Sequence, residues 1–260
     1  MQSHSPQRIL ITGAAVRIGR AIALRFARGG AAVAVHFNRS QAEAHALLAE
    51  LEALAPGAGH RAVRADLLNP QDRARLIPGL AEAGFIPDCL VNNASTYRRC
   101  SLRSLTPEQV RDDFEVNFTA PFELMRDFAR VCCRGSIVNL LDQRVAAVDP
   151  GAGAYGLAKK ALRDATEAAA LEWAPEIRVN AVAPGFVLPP PGVAPEKMEK
   201  FIPGIPMKRA AAPEDVADAC WFLAGAAGIT GQILFVDGGL HLTANPVAEK
   251  PGAAPGSVSL

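Results

Sequence analysis

The chain alternates short apolar runs with longer helix-like segments, and this alternation constrains the fold more than any other feature. The apolar runs are rich in β-branched residues and are predicted to be strands, at 8–12, 32–37, 61–65, 89–92, 136–141, 178–183 and 232–236. The intervening segments are predicted to be helices, at 18–28, 41–53, 70–83, 107–133, 154–173 and 213–225. Most strands are apolar on both faces, as in a covered parallel sheet. The pattern therefore predicts an α/β fold: a doubly wound, Rossmann-type parallel sheet of about seven strands with helices on both faces.

The 260 residues are expected to form a single domain with a core at about 8–243. Two segments interrupt the alternation. The segment 186–206 is rich in Pro and Gly, with a short helix predicted near 195–201, and it is expected to be either a lid over the substrate or a surface loop. The tail at 244–260 is rich in Pro, Gly, Ala and Ser and is predicted to be flexible.

Net charge and composition argue against several classes of partner. The formal net charge is +1, so nothing indicates bulk attraction to nucleic acid or to an anionic membrane. The five cysteines and the five histidines show no metal-ligand spacing, which predicts reduced thiols and no metal. Residues 1–8 lack the apolar segment of a signal peptide, and no apolar run reaches the ~18 residues of a membrane span. We therefore expect a cytoplasmic protein.

A loop with two glycines follows the first predicted strand and opens the first helix. Gly13 would let the backbone turn sharply towards a phosphate group, and Gly19 would let the helix, which begins near Ile18, pack closely on the sheet. The helix N-terminus would then face a pyrophosphate. A tight strand–helix turn without a ligand is the alternative, but the position directly after the first strand favours a dinucleotide site.

The end of the second strand indicates which dinucleotide is bound. NAD-binding folds usually carry Asp or Glu there, whereas this chain has His36, Asn38, Arg39 and Ser40 and no acid. Arg39 could pair with a 2′-phosphate, Ser40 could add a hydrogen bond, and Arg17 brings a second positive charge into the glycine loop. Although Arg39 would also suit a surface turn, the pattern favours NADP(H).

Tyr155 and Lys159 are four residues apart on a predicted helix, which places them on one face. A nearby ammonium group is expected to lower the pKa of the phenol from its usual ~10 and so to prepare Tyr155 for proton transfer near neutral pH. A Tyr–Lys pair at this spacing is common on helix surfaces. Its weight comes from the phosphate loop in the same chain.

These motifs together resemble the short-chain dehydrogenase/reductase family over about residues 8–243. Beyond the glycine loop and the Tyr–Lys pair, the matching residues are Asp66, Asn92-Asn93-Ala94, Asn117, Arg178-Val179-Asn180, Pro184-Gly185 and Asp237-Gly238-Gly239. The resemblance implies that Asn117, Tyr155 and Lys159 are catalytic and that the protein is a homotetramer. It also implies that, besides the loop and strand-end residues above, the cofactor site includes Asp66, Leu67, Asn93, Ala94, Ser95, Tyr155, Lys159, Pro184 and Gly185.

Three positions depart from the common pattern of the family. Arg17 stands where the loop usually has its middle glycine, Ser95 replaces the glycine after Asn92-Asn93-Ala94, and Asp142 occupies the position expected for the catalytic serine. All three departures resemble pteridine reductases, which place an aromatic residue that stacks on the pterin at the position of Tyr97. The resemblance therefore implies a substrate site formed by Arg17, Ser95, Tyr97, Asp142 and Tyr155.

Asp142 favours a C=N bond over a carbonyl group as the target of reduction. A serine donates a hydrogen bond to a developing alkoxide, whereas an ionised aspartate cannot donate and would repel it. A pterin nitrogen must gain a proton as the neighbouring carbon gains hydride, and an Asp142–Tyr155 pair could relay that proton.

The sequence therefore predicts NADPH-dependent reduction of a dihydropterin or dihydrofolate. A carbonyl reductase acting on a ketone or quinone is the first alternative. A non-catalytic NADPH-binding sensor is the second alternative, which the intact set of Asn117, Tyr155 and Lys159 argues against.

Overall fold

The computed structural model describes residues 7–189 and 196–243, apart from the side chains at 197–198. In this part of the chain, seven parallel strands form one sheet in the order β3-β2-β1-β4-β5-β6-β7. The strands are β1 (Arg8–Ile11), β2 (Ala32–Phe37), β3 (Arg61–Arg64), β4 (Cys89–Asn92), β5 (Gly135–Leu140), β6 (Ile177–Pro184) and β7 (Ile233–Val236). The predicted doubly wound sheet is confirmed, and each predicted strand overlaps the observed one almost completely.

Helices cover both faces of the sheet. On one face lie α1 (Arg17–Arg28), α2 (Gln41–Leu54) and α8 (Pro213–Gly225), and on the other lie α3 (Pro70–Glu82), α5 (Ala120–Val131) and α6 (Gly153–Glu172). The shorter helices are α4 (Pro107–Phe114) and α7 (Glu196–Glu199). The sheet therefore has an apolar core on each side, and burying one large side chain in such a core stabilises the fold by roughly 1.5–3 kcal/mol.

Capping residues explain where two of the helices begin. Before α3, the side chain of Asn69 accepts a hydrogen bond from the amide of Gln71 at 2.9 Å. Before α4, Thr106 and Gln109 form a reciprocal capping box, in which each side chain accepts from the other residue's amide. A proline occupies the first turn of both helices, where no amide hydrogen is needed. The two predicted helix starts at Pro70 and Pro107 are confirmed.

The single helix predicted at 107–133 is wrong, because a π-helical turn (Glu115–Thr119) separates α4 from α5. Pro121 has no amide hydrogen and cannot donate to the carbonyl four residues earlier, which interrupts the α-helical ladder. The side chain of Asn117 fills part of the altered ladder, since its Nδ2 donates to the carbonyl oxygen of Asp113 at 3.0 Å. Such bulges are frequent at functional sites, and this one holds a residue predicted to be catalytic.

The order of the strands determines where a ligand can bind. The chain runs from β1 outwards to β3 and then returns to place β4 on the other side of β1. The strand order therefore reverses between β1 and β4. In open α/β sheets, the carboxyl ends of the strands at this point border the binding crevice. The loops that follow β1, β4 and β5 meet at this crevice.

Near its C-terminal end, α1 lies very close to α8. Trp221 of α8 lies against Gly29, where an added Cβ atom would overlap the indole ring. The same indole meets the ring of Phe26 edge-on at a centroid distance of 5.1 Å, and the guanidinium of Arg25 lies 4.6 Å from it. Position 29 therefore needs glycine for lack of space, since its φ of −83° suits any residue.

The segment 186–206 is described in part. The short helix expected near 195–201 corresponds to α7, and Phe186 and Phe201 stack at 5.0 Å with nearly parallel rings. Residues 190–195 and the tail 244–260 lie outside the described residues, so the lid and the flexible tail stay predictions. In the part of the chain that is described, no helix is long and apolar enough to cross a membrane.

Candidate active site

The loop after β1 forms one side of a cradle of about 300 Å³. Gly13 has a φ of +63°, the left-handed region that favours glycine. A Cβ atom added at Gly19 would overlap the carbonyl oxygen of Gly13 and would lie 2.7 Å from Nδ2 of Asn93. That Nδ2 donates to the carbonyl oxygens of Thr12 and Gly13 at 2.9 and 3.1 Å. Both glycines are thus required by the backbone, and the cradle opens at the N-terminus of α1. Its lining includes Arg17, Ile18, Ala94 and Ser95.

His36 connects this cradle to the neighbouring strands. Its Nδ1 accepts a hydrogen bond from the amide of Gly13 at 3.0 Å, and its Nε2 lies 3.2 Å from the carbonyl oxygen of Ala65. Nδ1 as acceptor assigns the ring hydrogen to Nε2. Burial lowers the pKa of His36 to about 4, against an opposing hydrogen bond to Ala65. The ring is therefore neutral at physiological pH, and it helps to shape the loop that borders the cradle.

The residues predicted to bind the adenosine end lie along the carboxyl ends of β2 and β3. Arg39 is exposed in the turn before α2, between the half-buried Asn38 and Ser40. Asp66 accepts from the amide of Leu68 at 3.0 Å, and the carbonyl oxygen of buried Leu67 accepts from Arg73 at 2.6 Å. Among the described residues, none of these five predicted side chains lines the cradle or the adjoining cleft that contains Tyr155, so their roles stay predictions.

Arg17 borders both the cradle and the adjoining cleft that contains Asp142 and Tyr155. Its φ is +56°, where glycine would be free of strain and arginine is not. Its guanidinium donates to the carbonyl oxygen of Pro189 at 2.7 Å, which ties the loop to the segment after β6. An exposed arginine at this junction can reach an anion in the cradle or a ligand in the cleft.

A second cleft of about 180 Å³ adjoins the cradle and brings most of the predicted catalytic and substrate residues together. It lies over the carboxyl ends of β5 and β6. Its lining consists of Arg17, Ile18, Asn93, Ser95, Leu140, Leu141, Asp142, Tyr155, Lys159, Pro184, Gly185, Val187 and Leu188. A larger hollow of about 350 Å³ beside β7 contains none of the predicted site residues. The predicted catalytic and substrate residues are therefore found at the smaller cleft and not at the larger hollow.

Asp142 and Tyr155 form a hydrogen-bonded pair at the base of this cleft. The phenol hydroxyl of Tyr155 donates to Oδ2 of Asp142 at 2.9 Å. Burial, followed by the charge and the hydrogen bond of Asp142, raises the pKa of Tyr155 well above its ordinary value. The predicted lowering of this pKa is therefore wrong, because the nearest charge is the carboxylate rather than an ammonium. Tyr155 is a phenol that keeps its proton until a stronger acceptor approaches.

The ammonium group of Lys159 is turned away from the phenol hydroxyl. Its Nζ donates to the carbonyl oxygen of Leu140 at 2.7 Å and lies 5.8 Å from the centroid of the Tyr155 ring. Burial lowers the pKa of Lys159 from 10.5 to about 8, although the charge of Asp142 acts in the opposite direction. Lys159 thus lies in the cleft at the end of β5, on the same helical face as Tyr155, as predicted.

Asn117 lies behind the cleft and is completely buried. Its Oδ1 accepts from the hydroxyl of Ser95 at 2.7 Å, and its Nδ2 donates to the carbonyl oxygens of Thr96 and Asp113, each at 3.0 Å. Among the described residues, Asn117 does not line the cleft. In this structure it fixes the loop after β4, so its predicted catalytic role stays a prediction.

Tyr97 extends from that loop towards the catalytic pair. Its ring meets the Tyr155 ring edge-on at 4.9 Å, and the residue is 41% exposed. Sequence reasoning missed Arg144, which forms an ion pair with Asp142 and lies 5.4 Å from the centroid of the Tyr97 ring. The signal was present: a carboxylate in place of a serine needs a cation, and Arg144 follows Asp142 by two residues.

Comparisons with solved structures agree with this fold. The chain is similar to FolM alternative dihydrofolate reductase 1 from Brucella canis complexed with NADP, with 33% identity and a TM-score of 0.85, covering 96% of this chain and 100% of that one. It is also similar to FolM alternative dihydrofolate reductase 1 from Brucella suis in complex with NADP, with 34% identity, a TM-score of 0.82 and coverage of 91% and 96%.

Comparisons of sequence lead to a broader set of reductases. A family model described as enoyl-(acyl carrier protein) reductase matches residues 13–241. The 3-oxoacyl-[acyl-carrier-protein] reductase FabG of Staphylococcus aureus strain N315 is 32% identical over 241 residues, which covers 90% of this chain and 97% of that protein. The 3-oxoacyl-[acyl-carrier-protein] reductase of Synechocystis is 33% identical, covering 92% and 99%. The predicted family resemblance is confirmed.

Proposed function

Because the chain belongs to the short-chain dehydrogenase/reductase family, we propose that it reduces the C=N bond of a dihydropterin or dihydrofolate with NADPH. The observation that carries the proposal is the hydrogen bond from the Tyr155 hydroxyl to Oδ2 of Asp142 at 2.9 Å. An acid stands where a carbonyl reductase of this family uses a serine, and it is engaged with the tyrosine that supplies the proton.

The cradle fits a dinucleotide. Gly13 and Gly19 leave no room for side chains between the loop and the N-terminus of α1, so backbone amides can approach a pyrophosphate there. Arg39 would hold the 2′-phosphate, and Asp66 would lie near the adenosine. When bound, the reduced nicotinamide supplies the hydride. The two similar FolM structures, which contain NADP, support the same choice of cofactor.

The residues of the cleft supply the proton. As the substrate carbon gains hydride, the adjoining nitrogen becomes basic enough to take the proton of Tyr155. The tyrosinate that results takes a proton from solvent to restore the pair. Asp142 orients the phenol before transfer, because the hydroxyl is held at its Oδ2. General acid catalysis of this kind is typically worth ~10²–10⁴-fold in rate.

Carbonyl reduction is the second candidate, since the FabG relatives named above are 3-oxoacyl reductases. The charge of the cleft argues against it. Reduction of a ketone places negative charge on oxygen, and in this cleft a carboxylate would face that charge without a proton to donate. The nitrogen of a C=N bond is more basic than a carbonyl oxygen and can take its proton before or as the hydride arrives, so less negative charge develops in front of the same carboxylate.

The test is steady-state kinetics on dihydrobiopterin and on a simple diketone, for the wild type and for Asp142→Ser. We expect the wild type to prefer the pterin. We expect Asp142→Ser to lose about 10²-fold or more of pterin turnover and to gain weak diketone turnover. Asp164→Ser is the matched control, because Asp164 is an exposed residue of α6. A wild type that prefers the diketone would instead establish the second candidate.

The oligomeric state follows from the family resemblance, whereas the location and the lack of nucleic-acid or membrane partners are expected from net charge and hydropathy. We expect a cytoplasmic homotetramer that acts on a free small molecule, with no nucleic acid or membrane as partner. Light scattering coupled to size-exclusion chromatography measures the number of subunits, and a monomer at working concentration would contradict this expectation.

A further inference from the structure

Arg144 lies in the 3₁₀ turn (Gln143–Val145) that follows Asp142, with a side chain that is only 13% exposed. Its Nη1 donates to both carboxylate oxygens of Asp142, at 3.1 Å to Oδ1 and 3.0 Å to Oδ2. Its backbone amide donates to Oδ1 at 2.9 Å. Its Nε donates at 2.9 Å to Asp149, whose side chain is 1% exposed. The guanidinium is thus fixed from two sides by buried carboxylates.

We propose that Arg144 is a positioning residue for the reaction: it holds the Asp142 carboxylate in the one orientation in which Oδ2 receives the Tyr155 hydroxyl. This assignment rests on the function proposed above. It also extends that function, because the proton-donating unit then consists of Asp149, Arg144, Asp142 and Tyr155 in sequence. Asp142 and Tyr155 alone would be an incomplete description of it.

The geometry requires an arginine at this place. A carboxylate on a single methylene turns readily about its terminal bond, and the Tyr155 hydroxyl alone would not stop that rotation. Three donors from one residue, the amide and the two contacts of Nη1, define the plane of the Asp142 carboxylate. The planar fork of the guanidinium can do this while Nε engages Asp149, whereas the compact ammonium of lysine cannot serve both carboxylates in the same way.

Charge gives Arg144 a second effect on the same atoms. Once Tyr155 has donated its proton, the tyrosinate oxygen and Oδ2 of Asp142 are two negative groups at close range with no proton between them. Arg144 offsets that repulsion, since its own charge lies 3.0 Å from Oδ2 of Asp142. Burial alone would lower the pKa of Arg144, but Asp142 and the other nearby groups raise it above its ordinary value. The guanidinium therefore stays charged throughout.

Arg144 also contacts the residue predicted to stack on the substrate. Its Cζ lies 5.4 Å from the centroid of the Tyr97 ring, within the range of a cation–π contact. The same side chain therefore supports both the proton-donating pair and the aromatic ring beside it. Removing it should disturb the substrate site at two points and leave the dinucleotide cradle intact.

A resonance measurement on the ligand-free protein tests the positioning directly. The chain has two tyrosines, so tyrosine labelled with carbon-13 at Cζ gives two signals, which Tyr97→Phe assigns. The Cζ signal responds to the hydrogen bond of the phenol. We expect Arg144→Met to move the Tyr155 signal in the same direction as Asp142→Asn, and to move it no further when Asp142 is already Asn. An unmoved Tyr155 signal in Arg144→Met would overturn the proposal.

Asp149→Asn is a second variant, in case Arg144→Met does not fold. It keeps the guanidinium but loosens its hold, so it should move the Tyr155 signal in the same direction by a smaller amount. Arg163→Met is the matched control, because Arg163 contacts the carbonyl oxygen of Val145 in the same turn and does not contact Asp142. Its Tyr155 signal should stay where the wild type has it, and an equal shift would overturn the proposal.

Kinetics on dihydrobiopterin complete the test. We expect Arg144→Met to lower kcat at least about tenfold, but less than about twofold in the Asp142→Asn background, as for residues that act as one unit. Arg144→Lys should restore only a minor part of the loss. Equal losses in both backgrounds would show a merely structural role and overturn the proposal. A wild type that does not reduce dihydrobiopterin would refute the proposed function, and the resonance measurement would still decide the role of Arg144.

Discussion

The cradle and the cleft lie side by side, yet they are built in opposite ways. Apart from Arg17 at its border with the cleft, the cradle consists of backbone and neutral groups: two glycines, the amide of Asn93 and a histidine that burial keeps uncharged. The cleft contains linked charges, with the Asp142 carboxylate in contact with Arg144 and with the hydroxyl of Tyr155. One region offers shape and backbone dipoles, whereas the other offers charges whose states depend on one another.

This difference teaches which perturbations each region tolerates. A site made of backbone amides keeps its properties across pH but fails when a side chain is added, because there is no space for one. A site made of coupled charges tolerates small changes of volume but responds to any change of protonation or charge. Binding of the cofactor and transfer of the proton should therefore be separable by mutation.

The largest expected effect is that of Tyr155→Phe. This change removes the proton donor and leaves the cradle untouched, so turnover of dihydrobiopterin should fall ~10²–10⁴-fold. The dissociation constant of NADPH, measured by calorimetry, should change less than about threefold. Tyr97→Phe is informative beside it: the ring remains, so turnover should fall less than about tenfold. A large loss of NADPH affinity in Tyr155→Phe would break the separation between the two regions.

A smaller effect is expected for Arg39→Ala. This change removes the positive charge that is predicted to bind the 2′-phosphate at the adenosine end of the cofactor. Loss of a charge-assisted contact to the 2′-phosphate typically costs ~1.5–3 kcal/mol, so affinity for NADPH should fall at least about tenfold while affinity for NADH stays constant. Calorimetry with both cofactors measures this. Arg28→Ala, an exposed change at the far end of α1, serves as the control. A wild type that binds both cofactors equally would refute the role of Arg39.

The smallest expected effect is on the stability of the protein, and it concerns Lys159, a charged residue of the cleft. Burial lowers the pKa of Lys159 to about 8 in the folded protein, below its ordinary value of 10.5. Between these two pH values the unfolded chain therefore binds more protons than the folded protein. Charged Lys159 destabilises the fold most below pH 8, and this destabilisation disappears as the pH rises towards 10.5. Lys159→Met should raise the free energy of unfolding at neutral pH by about 1–2 kcal/mol, allowing for the lost hydrogen bond to Leu140.

Urea unfolding at a series of pH values measures this, with Lys160→Met at the neighbouring, half-buried position as the control. The gain from Lys159→Met should shrink as the solution becomes alkaline. A variant that is less stable than the wild type at neutral pH would contradict the prediction.

Much of the fold was predictable because its signals are local. Apolar runs identify the strands, proline and capping residues identify the starts of α3 and α4, and the glycine loop identifies the cradle. The break between α4 and α5 was not predicted, although Pro121 signals an interruption of the helix. The sequence does not show that the side chain of Asn117 engages the carbonyl oxygen of Asp113 in a π-helical turn. Propensity carries no information on such a contact.

The site was predicted as a set of residues but not as a set of charges. Asp142, Tyr155 and Lys159 do meet in one cleft, yet the direction of the Tyr155 pKa was wrong. The spacing on the helix shows that Lys159 is near, but only the folded structure shows that its ammonium faces the carbonyl oxygen of Leu140. The sequence shows a cation two residues after Asp142, but it does not show that the guanidinium of Arg144 contacts both carboxylate oxygens.

The close approach of α1 and α8 has a practical use in spectroscopy. Trp221 is one of two tryptophans, and its indole lies directly on Gly29 at the end of the helix whose other end opens the cradle. In a Trp173→Phe protein, all tryptophan emission would come from this single position. Reduced nicotinamide absorbs light in the range where indole emits, so quenching of that emission would report occupancy of the cradle. Its spectral maximum would report any displacement of α1, and the protein thus carries its own optical probe.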